Sequence, residues 1–129
     1  MARHWKQIGG DVNPKDYGAV LGRVEGSRGR ARSVEIVRIN PDEEQGHGYY
    51  VDTAYFDESD LEWGGRAKGR EIASTIGASR ADWDEMSLEQ RAEAAIGYYG
   101  AGWSDETGGR RVDKWSDALP VRSNQIQWW

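Results

Sequence analysis

The chain has 129 residues, with 22 Asp and Glu against 17 Lys and Arg, a formal net charge of −5 and no cysteine. This length is typical of a single domain spanning residues 1–129, and the lack of cysteine excludes both a disulfide framework and a thiolate metal site. No apolar run approaches the ~20 residues of a membrane helix, and the first residues lack the apolar segment of a secretory signal, so we expect a soluble, cytoplasmic protein that contacts no membrane.

The first half of the chain predicts an antiparallel β-sheet. Residues 4–8 alternate in polarity, as a short strand does. Residues 18–25, 32–39 and 48–56 are rich in β-branched and aromatic residues, and glycines and other turn formers separate them. The last three segments are therefore expected to form a meander, with the N-terminal segment as a fourth strand.

The second half predicts two helices. Apolar residues spaced from Arg66 to Ile76 indicate one helix, which ends at Gly77. A stronger signal follows, because Ser-Leu-Glu-Gln at 87–90 fits a capping box and apolar residues then recur on one face as far as Gly100.

The C-terminal residues predict a short helix and an added strand. Val112, Trp115 and Leu119 have helical spacing, which Pro120 ends, and residues 124–129 alternate as an edge strand does. Together the elements predict an α+β fold: an antiparallel β-meander of three to four strands with two helices packed on one face and a Trp-rich C-terminal extension.

Tryptophan and tyrosine dominate the aromatic residues. The chain has seven Trp and six Tyr but one Phe, and 37% of its residues are hydrophobic. Because a small core needs its largest side chains inside, we expect these rings to supply core volume rather than an aromatic binding platform.

The sequence carries no strong catalytic or metal-binding signature. Its two histidines, His4 and His47, are far apart and belong to no zinc-ligand motif. The glycine-rich stretch at 64–69 lacks the spacing of a phosphate-binding loop. We therefore expect no cofactor, no metal and no enzymatic activity.

Charge is distributed unevenly along the chain. Residues 1–39 hold eight Lys and Arg against four Asp and Glu, residues 40–107 hold five against sixteen, and residues 108–129 hold four against two. The middle segment favours a protein-binding module, monomeric or homodimeric, that presents acidic residues and exposed Trp anchors to a basic or nucleic-acid-binding protein. The predicted contact residues are Asp57, Glu58, Asp60, Glu62, Trp63, Asp82, Trp83, Asp84, Glu85 and Trp103.

The N-terminal half also carries a resemblance. The run Trp-Lys-Gln-Ile-Gly-Gly-Asp-Val-Asn-Pro-Lys-Asp-Tyr-Gly at 5–18, leading into Glu-Ile-Val-Arg-Ile at 35–39, resembles small uncharacterised proteins of phages and plasmids. The resemblance covers roughly the first half of the chain and includes no catalytic motif. It implies a mobile-element accessory protein, of the kind that inhibits host defence systems such as CRISPR complexes by occupying a surface.

Two alternatives come from other classes of function. Arginines of the predicted hairpin could contact phosphates while a nearby tyrosine stacks a base, although direct nucleic-acid binding fits poorly with a pI of about 5.1. These arginines are Arg23, Arg28, Arg30, Arg32 and Arg38. A small hydrolase using a pair of carboxylates is the second alternative, and it requires two such groups ~5–10 Å apart across a cleft.

Overall fold

A computed structural model describes residues 4–26, 32–103 and 109–129 of the chain. Within these ranges it contains a six-stranded sheet and five α-helices. The strands are β1 (Trp5–Gly10), β2 (Ala19–Glu25), β3 (Ser33–Pro41), β4 (Tyr49–Asp57), β5 (Arg110–Val112) and β6 (Ile126–Gln127). The helices are α1 (Pro14–Tyr17), α2 (Gly69–Thr75), α3 (Arg80–Glu85), α4 (Leu88–Tyr99) and α5 (Trp115–Ala118).

The sheet has the order β5-β4-β3-β2-β1-β6. Strands β1 to β4 form the predicted antiparallel meander, including the N-terminal segment as its fourth strand. The mixed class is thus confirmed, but three to four strands and two helices understate the fold. Short strands from the last 20 residues extend both edges: β5 pairs antiparallel with β4, and β6 pairs parallel with β1, as expected for an added edge strand.

Both faces of the sheet are buried. On β3, Val34 and Ile36 pack under the helices, whereas Val37 and Ile39 belong to a second apolar cluster on the opposite face. Successive side chains of a strand point to opposite faces, so a continuous apolar run is what a sheet covered on both sides requires. We call these the helix face and the C-terminal face.

Helices α2, α3 and α4 cover the helix face. The predicted capping box of α4 is confirmed: Ser87 Oγ accepts the amide N–H of Gln90, whose side chain accepts the Ser87 N–H. Gly100 ends this helix at a φ of 59°. Helix α2 begins at Gly69 rather than at Arg66, because the preceding residues form turns.

The C-terminal residues cover the other face, and here the predicted helix over 112–119 is wrong in part. Val112 is the last residue of β5, opposite Tyr49 of β4, and only Trp115–Ala118 is helical. Pairing with the free edge of β4 satisfies backbone groups that the local helical spacing ignores, so tertiary context decides.

The longest helix in the described ranges, α4, has 12 residues, and none of the helices there is long and apolar enough to cross a membrane.

Candidate binding groove

The predicted acidic residues come from two elements that the fold brings together. A 3-10 turn at Glu58–Leu61 lies beside α3, since the indole N–H of Trp83 donates to the Leu61 carbonyl over 2.9 Å. The carboxylates that flank these two elements therefore occupy neighbouring surface.

Arginines neutralise part of this surface. Arg32 pairs with Glu58 at 3.1 Å, Arg66 approaches Asp60 to 3.8 Å, and Arg80 approaches Asp84 to 3.7 Å. The hydrogen bond from Arg32 lowers the pKa of the Glu58 carboxyl.

Two further carboxylates have local structural roles. Asp60 is buried and accepts the backbone N–H of Asp57. Asp82 accepts the backbone N–H of Ser79, which lowers the pKa of the Asp82 carboxyl. Of the predicted acidic set, Asp57, Glu62, Asp82 and Glu85 are exposed and make no ion pair in the described part of the chain, and Asp82 takes part in the capping box of α3.

The prediction that Trp83 is an exposed anchor is wrong. Its side chain is 0% exposed and lies in the core of the helix face. Trp63 and Trp103 are partly buried against the same core, and Trp103 stacks on Phe56 with ring centroids 5.1 Å apart. These rings supply core volume, as the composition suggested.

The described arginines of the hairpin do not form one basic surface. Arg23 pairs with Glu35 at 2.6 Å and lies over the Trp5 ring on the C-terminal face. Arg38 pairs with Asp52 and donates to the Ile96 carbonyl of α4, on the helix face. Arg32 is the partner of Glu58, and Arg28 and Arg30 lie outside the described residues.

A groove of about 740 Å³ lies on a different part of the molecule. The loop after β1, helix α1 and the C-terminal residues form its walls. Its lining comprises Gln7, Val12, Asn13, Pro14, Lys15, Trp115, Ser116, Leu119, Ser123, Trp128 and Trp129. We call this the aromatic groove.

Gln7 ties the two ends of the chain together at the base of the groove. Its side chain is 2% exposed, its amide donates to the Asp11 carbonyl over 3.0 Å, and its Oε1 accepts the backbone N–H of Trp129 over 3.1 Å. The parallel pairing of β6 with β1 places Trp128 and Trp129 next to the β1–α1 loop. A buried amide satisfied on both sides fixes this arrangement.

Aromatic contacts hold the walls of the groove. Trp115 and Trp128 lie with ring centroids 6.2 Å apart and planes inclined by 32°, and Tyr49 meets Trp115 edge-on at 5.2 Å. The Tyr49 hydroxyl donates to the Lys15 carbonyl over 3.1 Å, which links β4 to α1. Trp129 remains 65% exposed. The groove is thus preformed, with one ring left open to solvent.

A smaller acidic recess of about 290 Å³ adjoins the groove and shares Lys15 with it, and Tyr49 of the recess contacts Trp115 of the groove. Its carboxylates are Asp16, Asp42 and Glu43, and His47 lies at the same place. A shallow patch beyond it adds Glu44 and the exposed rings of Tyr17 and Tyr50.

Arg111 holds the wall of the acidic recess. It donates to Asp42 Oδ2 over 2.8 Å and to the His47 carbonyl over 2.8 Å, and it pairs with Asp113. The hydrogen bond from Arg111 holds the pKa of the Asp42 carboxyl below its usual range. Asp42 is therefore committed to an ion pair, which disfavours a role for it as a general acid in a carboxylate pair.

No group of three or more histidine and acidic side chains among the described residues could hold a metal ion.

A comparison of the chain with protein-family models, with curated proteins and with solved structures found no significant match.

The aromatic groove was missed by the sequence interpretation, which assigned most tryptophans to the core and placed the exposed anchors at Trp63, Trp83 and Trp103. A usable signal was present, because three of the seven Trp lie among the last 15 residues, beside polar residues. What the sequence did not show is that β6 pairs with β1 and so carries these rings to the start of the chain.

Proposed function

We propose that this chain is a non-enzymatic protein-binding module that holds an extended segment of a partner protein in the aromatic groove. The carrying observation is a preformed groove of about 740 Å³ with three tryptophan rings in its lining. Tryptophan is enriched among the residues that dominate binding energy, because one ring removes a large apolar area from water while its N–H stays available as a donor.

The support for Trp115 and Trp128 favours tight binding. Ring contacts to Tyr49 and to each other restrict these side chains before any partner arrives. Restricting an interface in its bound form lowers the entropy cost of association, which otherwise offsets much of the energy from buried area.

The lining favours binding over catalysis. Ser116 and Ser123 are the hydroxyl groups of the groove, and no histidine or carboxylate accompanies them among the lining residues that the structure describes. A serine nucleophile needs an adjacent base to act at neutral pH.

The exposed carboxylates give the same module an electrostatic preference. Asp57, Glu62 and Glu85 are exposed on the helix side, and Glu43 and Glu44 are exposed near the groove. Acidic surface of this kind speeds encounter with a basic partner more than it raises affinity. Together with the resemblance to phage and plasmid proteins, it supports a host complex that handles nucleic acid, such as a CRISPR-type defence complex, as the target.

A peptide selection tests the proposal. A library of random 12-residue peptides is selected against the wild-type chain, against Trp129→Ala, and against Tyr98→Ala as the control, since Tyr98 is an exposed ring on α4. We expect peptides that bind the wild type and Tyr98→Ala but lose binding to Trp129→Ala. Peptides that bind all three proteins equally would show that the groove is not the contact surface.

A further inference from the structure

We infer that the segment held in the aromatic groove is proline-rich, in polyproline II conformation, and carries an arginine or lysine that enters the acidic recess. This inference rests on the proposed function, because it names the class of partner for the same groove. Three observations carry it: the free indole donors of the groove, its apolar lining and the charge of the adjoining recess.

The indole N–H groups of the groove are free to donate. Within the described residues Trp83 is the tryptophan whose indole N–H is hydrogen-bonded to protein, whereas those of Trp115, Trp128 and Trp129 have no acceptor there. A polyproline II chain has no internal hydrogen bonds, so its carbonyl groups stay available as acceptors. Proline-rich recognition by aromatic grooves uses this match of ring faces to pyrrolidine rings and of donors to carbonyls.

The alternative of strand addition finds less support. The outer edge of the sheet beside the groove is β6, which has two residues, Ile126 and Gln127. Binding by strand addition draws its affinity from a row of main-chain hydrogen bonds, and two residues supply few of them. The groove instead offers side chains of Gln7, Asn13 and Ser123 as its polar contacts.

The charge of the acidic recess favours a basic residue next to the prolines of the bound segment. Lys15 is the one charged side chain among the described residues that line the groove, and it also borders the acidic recess. Arg111 is occupied by Asp42 and Asp113, so Asp16 and Glu43 are left opposite Lys15. The recess is therefore negative on balance, and it is open to a cation that follows the apolar segment.

Arginine suits this recess better than lysine. Its planar guanidinium donates to two carboxylates or bidentately to one, and it stacks on aromatic rings such as that of Tyr49. A basic, proline-containing segment also agrees with the basic partner expected from the charge of residues 40–107.

Fluorescence anisotropy with labelled peptides tests the inference. The probes are 12-residue peptides with a Pro-x-x-Pro core and one arginine, placed at either end because the direction of the chain in the groove is open. Matched peptides carry Pro→Ala at both prolines or Arg→Glu. We expect one arginine-containing probe to bind, and binding to fall roughly tenfold with either change and with Trp129→Ala, but not with Tyr98→Ala.

A charge swap at Glu43 provides the sharper test. Glu43→Lys should weaken the arginine probe and strengthen the Arg→Glu probe, which a purely structural role of Glu43 would not do. Equal binding of the arginine and glutamate probes to the wild type would overturn the inference, as would equal binding of the proline and alanine probes.

The outcome separates the inference from the proposed function. If the random library yields peptides that lack proline yet lose binding to Trp129→Ala, the inference fails and the proposed function stands. If neither the library nor the probes bind in a manner sensitive to Trp129→Ala, both fail.

Discussion

Trp83 shows how a single aromatic residue fixes a region whose local sequence says little. It lies on α3, a helix of six residues that periodicity did not predict, and its ring is fully buried under the 3-10 turn at Glu58–Leu61. The indole N–H satisfies the Leu61 carbonyl, which would otherwise be a buried acceptor without a partner. Trp83, which the sequence analysis placed among the exposed anchors, is therefore a buried residue that joins α3 to the turn at Glu58–Leu61.

Replacing Trp83 with phenylalanine should lower the free energy of unfolding by about 2–4 kcal/mol. The change removes the donor to Leu61 and leaves a cavity where the larger ring was. Urea unfolding measures the loss, with Trp129→Phe as the control. Because Trp129 is largely exposed, that control should change the free energy of unfolding by no more than about 0.5 kcal/mol. Equal effects of the two substitutions would contradict the burial of Trp83.

Glu93 is a second residue whose environment has a measurable consequence. It projects from α4 onto β1, where a Cβ on Gly9 would clash with the Glu93 carboxyl. Burial raises the pKa of the Glu93 carboxyl, and the side chain makes no ion pair within the described residues. The partly buried surroundings of Glu93 therefore favour its neutral form over its charged form.

The stability of the protein should therefore carry a pH dependence that Glu93→Gln removes. The folded-state pKa of Glu93 lies above the unfolded value of about 4.3. The stabilising contribution of the protonated Glu93 side chain is therefore fully present below about pH 4.3, and it is lost as pH rises through the raised pKa. Urea unfolding at several pH values between 4 and 8 measures this. Glu85→Gln, at an exposed position, should keep the wild-type profile because Glu93 is still present. A Glu93→Gln profile parallel to that of the wild type would refute the account.

At the scale of elements, the loop between β3 and β4 depends on glycine in two different ways. Gly46 has a φ of 74° and open space around it, whereas Gly48 has a φ of 83° and would place a Cβ 2.5 Å from Arg111 Nη2. Both positions have a backbone that L side chains rarely adopt, but Gly48 alone of the pair also gives Arg111 room to hold Asp42 and the His47 carbonyl.

Gly46→Ala should cost roughly 1 kcal/mol of stability for its backbone conformation. Gly48→Ala should cost more, since Arg111 must also move. In an Arg111→Met background the difference between the two alanine substitutions should shrink without closing, because a Cβ at Gly48 would still lie 3.0 Å from the Val112 carbonyl oxygen. A double-mutant cycle of thermal or urea unfolding can measure the change. Equal losses of stability for Gly46→Ala and Gly48→Ala in the wild-type background would contradict the packing of Arg111 against Gly48.

The elements that sequence predicted correctly are those with strong local signals. Strand β1 alternates in polarity, β2 to β4 have β-branched and aromatic residues between turn formers, and α4 has a capping box and an apolar face, so local propensity and tertiary packing agree. Helix α3 was missed because its one buried side chain, Trp83, gives no periodic pattern over six residues. Val112 was assigned to a helix because the free edge of β4 that it pairs with is invisible in local sequence.

At the scale of the whole molecule, the two ends of the chain meet across one edge of the sheet. Gln7 and Trp129 are 122 positions apart and hydrogen-bonded to each other, and this bond together with the pairing of β6 with β1 positions the C-terminal wall of the aromatic groove. No local sequence pattern predicts a pairing between segments so distant. The strands of the meander are easier to predict, because each one pairs with its neighbour in the chain. The candidate site is therefore the part of the molecule that sequence predicts least. In the acidic stretches that the composition emphasises, some carboxylates are paired with arginine and others cap backbone N–H groups.

A heteronuclear NMR titration of the indole N–H signals tests the central claim most directly. The chain is labelled with ¹⁵N and titrated with the proline- and arginine-containing probe and with peptides from the library selection, while seven tryptophans report from different parts of the fold. The account predicts that the signals of Trp115, Trp128 and Trp129 shift together as binding saturates, and that the signal of the buried Trp83 stays in place. Shifts confined to Trp63 and Trp103, with the three groove signals unchanged at saturation, would contradict it.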